Sequence, residues 1–413
     1  MTAAQRPSDD PVIEYLRIGL LFDRLEEGFV DAFTGDPALR AEAQNAPRPD
    51  PAQLGARARA LLERLPDGLP ADRAEFVAAH LRALECSARK FAGEDVGFVD
   101  EVRAYFDVDI APADPARYRE AHSALAEALG VPGATGDRLR DEYQRYRRAG
   151  EIPADLTEPL IAAFASSLRD RVRAEFPLPP SEVVEFDVVS DKPWSGFNYY
   201  LGDYRSKVAV NTDLPQHLSG LPGLIAHEAY PGHHTEHCRK EQGLVGTGQL
   251  EHTIFLVNTP QCLMAEGLAD HALAAAMGAD WHEWAAEIYG DFGLRFDAEK
   301  ARAVSSATAG LLTVRQDAAL MLHDRHSDAD TVAAFLQQWL LVDPDRSRQM
   351  LRFLTSPLWR AYISTYVEGY RLLGDWLDDA PSDQRLTRFG RLLDEPLTPA
   401  VLRAELVAGI GNS

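Results

Sequence analysis

Two short stretches carry residue types that could do chemistry together. The first runs His227-Glu228-Ala229-Tyr230-Pro231-Gly232-His233-His234, and the second offers a carboxylate at Glu266 within Ala265-Glu266-Gly267-Leu268-Ala269-Asp270-His271. A catalytic zinc ion takes three protein ligands, often two His and one Glu, and keeps a fourth position for water. The two stretches supply that set. In the common His-Glu-x-x-His arrangement the imidazoles sit one helical turn apart and the Glu beside the first acts as general base. Here that base is Glu228, and Pro231 and Gly232 lengthen the spacing. Proline has no N–H for the carbonyl four residues back and its ring crowds that carbonyl, so the spacing predicts a break in the helix. Gly232 supplies the backbone freedom to recover from it. If the pair loops out, His233 takes the place of the fourth residue after His227 and both rings face one ion. In an unbroken helix His234 would share the face of His227, but roughly 10 Å further along. His233 is therefore the preferred second ligand and His234 the alternative.

The surroundings of Glu266 are apolar, with Cys262, Leu263, Met264, Leu268 and Leu273 close in sequence. An uncompensated charge is costly there, which favours a metal ligand over a solvated carboxylate. Asp270 lies one turn further on the same face of a helix, where it can accept the second ring N–H of a metal-bound His. A zinc ion on His227, His233 and Glu266 would lower the pKa of bound water and polarise a carbonyl, while Glu228 moves the proton to a leaving nitrogen. The expected reaction is amide hydrolysis, on a short peptide or on a small non-peptide amide. A non-catalytic helical protein with structural zinc is the remaining alternative. It leaves Glu228 without a task, since structural zinc fills all four positions with protein ligands.

At these residues the chain resembles the bacterial domain-of-unknown-function family 885. That family carries His-Glu-x-x-Pro-Gly-His-His followed by Glu-Gly-Trp-Ala, and is placed among zinc peptidases of the gluzincin type. Ala32-Phe33-Thr34-Gly35-Asp36-Pro37, Ser206-Lys207-Val208-Ala209-Val210-Asn211 and Tyr366-Val367-Glu368-Gly369 look like further landmarks. The chain departs from the pattern at Leu268, where Trp is usual, at Asp270-His271 in place of Leu-Tyr, and at Thr235-Glu236 in place of Leu-Gln. Those departures bear on substrate choice. The resemblance implies a mainly α fold, a helical gluzincin-like metallopeptidase architecture with a small β-sheet beside a deep active-site cleft, and carboxypeptidase- or oligopeptidase-like activity. It also implies that an edge strand just upstream of the metal helix lies along the substrate. That role falls to residues 208–211, bounded by Val208 and Asn211, where an extended peptide would add through main-chain hydrogen bonds. In zinc peptidases a Tyr or His opposite the metal donates to the oxyanion. Tyr366 is the candidate, with Tyr362 behind it, and Arg360 or Arg371 could hold a substrate carboxylate bidentately.

The rest of the chain must position these groups. Its 413 residues, 46% of them hydrophobic, suffice for a sizeable core. With 64 acidic against 42 basic residues and a formal charge of −22, a nucleic-acid partner is not expected, because such binding rests on clustered Lys and Arg. Cys86, Cys238 and Cys262 are too few and too scattered for a disulfide framework, so a cytoplasmic location is expected. The polar N-terminus and the short apolar run at 18–22 lack the form of a signal peptide. No stretch approaches the ~20 apolar residues of a membrane span. Helical periodicity is expected over 12–33, 53–65, 71–92, 117–129, 135–149, 261–277, 295–308, 314–323 and 329–341. Residues 182–190 and 208–211 read as strands. The proline cluster at 177–180 divides an N-terminal helical region, 1–176, from a zinc-binding catalytic region, 177–413, the two packed as one unit. No phosphate loop, Gly-x-Ser-x-Gly elbow or Cys-x-x-Cys competes with the metal motif.

Overall fold

Helix starts are written into this sequence as Asp-Pro pairs. Asp10, Asp36, Asp50, Asp114 and Asp343 each cap a helix whose first residue is proline, and each carboxylate accepts a main-chain N–H from the first turn. Aspartate satisfies an otherwise orphaned donor there, and proline tolerates the position because its missing N–H would have had no partner. The computed structural model describes residues 10–192, 195–213, 215–278, 280–381 and 383–410, so most of the polar N-terminal segment lies outside the described residues. The described chain is mainly helical with two small sheets.

The periodicity over 12–33 covers two elements instead of one. The helix spans Pro11–Phe22, and β1 follows at Val30–Phe33 after a turn in which Gly28 adopts φ +86°. Leu25 and Phe29 stay buried in that turn, which is why the apolar spacing continues past the end of the helix. β1 pairs antiparallel with β5, Ile254–Leu256, and the register shifts between Val30 and Ala32, leaving Asp31 as the extra residue.

The second sheet contains β2 (Val183–Val189), β3 (Gly196–Gly202) and β4 (Arg205–Asn211) in the order β2-β4-β3. β4 runs parallel to β2 and antiparallel to β3, so Val208 lies opposite Phe186 on one side and Asn198 on the other. This corrects the expectation for Val208 and Asn211. β4 is the central strand with both edges occupied, Val208 is fully buried, and the Asn211 amide is spent on the Lys192 carbonyl at 2.9 Å. The edge strand on the motif side is β3, the strand whose Gly- and Tyr-rich sequence lacks the Val/Phe alternation of β2.

No packing boundary falls at residue 176. One continuous core joins Phe164 and Leu168 from before it to Leu263, Leu268 and Trp376 after it. A second core gathers the helices of residues 11–91 around Ile254, Leu256 and Leu358. Buried carboxylates tie the halves together further, with Glu251 bound by Arg73 at 2.6 Å and Glu101 bound by Arg360. Among the described residues no helix is long and apolar enough to cross a membrane.

Candidate metal centre

The helix Leu221–Glu228 ends one residue after His227, and a new helix begins at His233 and runs to Gly243. Between them the Tyr230-Pro231 bond is cis, and the Gly232 N–H reaches back to the Ala226 carbonyl at 2.9 Å. A Cβ on Gly232 would stand 1.9 Å from the His227 carbonyl oxygen, so glycine is the residue that lets the chain fold back this tightly. The loop-out brings the His227 and His233 rings together at right angles, with centroids 4.7 Å apart.

The Glu266 carboxylate, on the helix Pro260–Met277, lies between the two rings. His227 Nε2 is 3.3 Å from one of its oxygens and His233 Nε2 is 3.6 Å from the other. One ligand atom from each of the three residues falls within 4.8 Å of the rest. Donors held about 2.0–2.1 Å from one tetrahedral ion lie roughly 3.3 Å apart, so the spacing suits zinc. The hydrogen bonding points the same way. Tyr362 donates to Glu266 Oε1 at 2.6 Å, whereas Oε2 is buried without a donor. A buried acceptor left in this state calls for a cation. His227 Nδ1 lies 3.2 Å from Asp270, which fixes its ring so that Nε2 faces the carboxylate. The imidazoles keep 17% and 15% of their surface in water, leaving a side open. Burial would lower the pKa of His227, but the Asp270 and Glu266 carboxylates outweigh it and raise it, another sign that this cluster attracts positive charge.

His234 is turned elsewhere. It is fully buried, with Nδ1 2.8 Å from the Ser206 hydroxyl and Nε2 3.0 Å from Glu182. Burial lowers its pKa and keeps the ring neutral, so Nε2 carries the proton and donates to Glu182. Burial alone would raise the Glu182 pKa, yet hydrogen bonds from His234, Arg169 and Tyr230 hold it at about 2. Of the two candidate histidines, only His233 faces Glu266.

Glu228 is 6% exposed and sits against β3, where a Cβ on Gly196 would come within 2.9 Å of its carboxylate. Asn198 on the same strand donates to the Glu228 carbonyl at 2.6 Å, locking the edge strand to the end of the metal helix. Burial raises the Glu228 pKa, the direction that makes a carboxylate a better proton acceptor near neutral pH.

Tyr366 lies on a π-helical turn, Thr365–Gly369, packed against the Glu266 helix. The approach is close because both sides are glycine. A Cβ on Gly267 would meet the Gly369 carbonyl oxygen at 2.6 Å, and one on Gly369 would meet the Leu263 carbonyl oxygen at 2.6 Å. Such turns interrupt regular helices frequently at functional sites. The Tyr366 ring stands against Tyr362 with centroids 5.7 Å apart, and its phenol is within electrostatic reach of Glu266, Asp270 and Glu228. Burial raises its pKa well above the usual value, so it stays protonated and can donate. Arg360 and Arg371 are not free anchors, because Arg360 is bound to Glu101 at 2.9 Å and Arg371 lies 3.3 Å from Glu368.

Sequence reasoning missed Asp31. It is the bulged residue of β1, and bulges re-aim side chains beside active sites. Burial lifts its pKa to about 7, with His233 opposing and Glu266 and Glu228 reinforcing that rise, so it is within electrostatic reach of the centre. Its position one residue before the 32–37 landmark was the available signal.

No protein-family model matches this chain, and no curated protein matches it either. Two solved bacterial structures are similar to it to different degrees. A protein of Shewanella oneidensis, provisionally described as a lipoprotein of unknown function, has a TM-score of 0.49 and 13% identity, covering 96% of this chain and 82% of its own. A protein of Colwellia psychrerythraea, also provisionally described as a lipoprotein, shares the fold at a TM-score of 0.52 and 14% identity, over 88% of this chain and 68% of its own.

Proposed function

We propose that the protein is a zinc-dependent hydrolase that cuts amide bonds of short peptides, with His227, His233 and Glu266 holding the ion. The observation that carries this reading is the convergence of three ligand atoms within 4.8 Å around a buried carboxylate oxygen that has no donor of its own. Bound there, zinc would activate water and polarise a substrate carbonyl. The chain's own residues supply the remaining steps. Glu228 accepts the proton of the attacking water and passes it to the leaving nitrogen. The Tyr366 hydroxyl donates to the oxygen on which charge develops. The outer edge of β3, where no strand among the described residues pairs, takes the main chain of an extended substrate, while Asp270 keeps the His227 ring oriented. The family 885 pattern and a gluzincin-like architecture, with the site in a deep cleft, belong to the same proposal. Support comes from the helical body, the small sheet, and the edge strand bonded to the end of the metal helix.

The test is to load the protein with zinc, confirm occupancy by metal analysis, and expose it to a mixed peptide library read by mass spectrometry. Cleavage that is abolished by a chelator and restored by zinc is the expected outcome. A fully loaded protein that cuts no peptide would overturn the peptidase reading and leave a non-peptide amide as the substrate to seek.

A further inference from the structure

The helix Val314–His323 is buried almost throughout its first two turns: Val314, Gln316, Asp317, Ala318, Ala319 and Leu320 are all buried, and Arg315 alone is exposed. A helix on the outside of a protein shows water a stripe, with exposure recurring three and four residues on. Here Ala318 and Ala319 are completely buried, and Leu311 on the preceding turn is nearly so. Within these first two turns water reaches the helix at Arg315 alone, and Met321 to His323 in its last turn are half-buried. The neighbouring Gln316 amide donates to Glu368 at 2.7 Å, pinning the Arg315 turn to the π-helical turn that carries Tyr366.

No carboxylate among the described residues pairs with the Arg315 guanidinium. Arg346 is in the same situation, since its Nη1 goes to the neutral Gln349 side chain at 2.5 Å. The two guanidiniums are within electrostatic reach of each other, and burial lowers the pKa of both. Two partly desolvated cations within reach of each other, neither in an ion pair, are unfavourable in a chain with 64 acidic residues at hand, and Asp343 offsets the charge of Arg346 only from a distance. The pair makes sense when an anion arrives. The planar fork of arginine matches a carboxylate bidentately.

We infer that Arg315, assisted by Arg346, is the anchor for a substrate carboxylate, and that the carboxylate is the free C-terminus of a short peptide. This rests on the hydrolase reading above and sharpens it. The anchor stands on the Tyr366 side of the centre, so the enzyme is a carboxypeptidase that needs the free acid. Arg315 positions the substrate and does not touch the bond that breaks.

The test separates binding from chemistry. Zinc-loaded Glu228→Gln protein is titrated calorimetrically with trialanine, with trialanine amide, and with Ala-Ala-Glu amide. The free acid should bind about 10- to 100-fold tighter than the amide, as expected for charge-assisted hydrogen bonds. Arg315→Gln should erase that preference and Arg315→Lys should keep part of it, both with unchanged zinc content and melting temperature. Equal affinity for acid and amide, or a preference that survives Arg315→Gln, overturns the anchor. Affinity recovered by the glutamyl amide overturns the C-terminal assignment in favour of an acidic side chain. Wild-type turnover is followed separately on the same peptides. Cleavage of acid and amide at equal kcat/KM overturns the anchor alone, whereas Arg315-dependent binding without any cleavage overturns the hydrolase reading and leaves the anchor standing.

Discussion

Glu182 and Glu266 are both buried carboxylates, and each faces one of two adjacent histidines, yet their surroundings are opposite. Glu182 is met from every side, by Arg169 at 2.6 Å, Arg173 at 2.7 Å, the Tyr230 hydroxyl at 2.8 Å and His234 at 3.0 Å. Glu266 receives the Tyr362 hydroxyl on one oxygen, while the other makes no well-formed hydrogen bond and has His227 Nε2 at 3.3 Å beside it. An unmet buried polar atom costs about 1–3 kcal/mol, and folded proteins tolerate few of them. The satisfied cluster is a structural staple that clamps β2 and β4 to the His233–Gly243 helix. The unsatisfied one is held in readiness for a ligand. His233 and His234 are consecutive residues of one helix, so their side chains leave it about 100° apart and reach these different partners.

The sharpest way to break this contrast is at Glu228. Glutamine keeps its shape but cannot accept a proton, so Glu228→Gln should retain zinc and fold while losing about 10²- to 10⁴-fold in kcat. Loss of metal in that variant would make Glu228 a ligand and redraw the site. Next in size is Tyr366→Phe, which removes one hydroxyl and little volume. Turnover should fall by about 10²- to 10³-fold with KM little changed, and unaltered turnover would remove Tyr366 from the reaction. The third probe belongs to the staple. Glu182→Gln should leave kcat intact and cost about 3 kcal/mol of stability at neutral pH, because it strands partly buried arginines. The folded-state pKa of Glu182, about 2, lies below the ordinary 4.5. Its contribution is therefore complete above pH 4.5 and disappears as pH falls towards 2. Thermal melts across that range should show the gap between wild type and variant closing, and a gap that persists at pH 2 would mean the cluster acts through packing instead of charge.

Much of the centre was legible because its signals are local. Pro231 and Gly232 announce a break by their own backbone chemistry, and an acidic residue among Cys262, Leu263 and Leu268 announces a partner by its desolvation cost. The helix Val314–His323 begins and ends where periodicity placed it. What stayed hidden depends on residues far apart in the chain. β4 reads as a strand from Val208 to Asn211, but only the order β2-β4-β3 reveals that its edges are taken. The spacing of Leu25 and Phe29 continued a helix that had already stopped, since burial in a turn can mimic a helical stripe. Asp31 owes its place to a bulge against β5, more than two hundred residues away in sequence. Arg360 looked available until the fold supplied Glu101, 259 residues away.

The central claim is that His233 and not its neighbour completes the metal set, and metal stoichiometry tests it most directly. Zinc per chain is measured by mass spectrometry for wild type, His233→Ala and His234→Ala after equilibration in limiting zinc. Zinc is expected in wild type, lost in His233→Ala, and retained in a His234→Ala protein that melts at a lower temperature because Glu182 has lost a partner. Zinc kept by His233→Ala and lost by His234→Ala would contradict it.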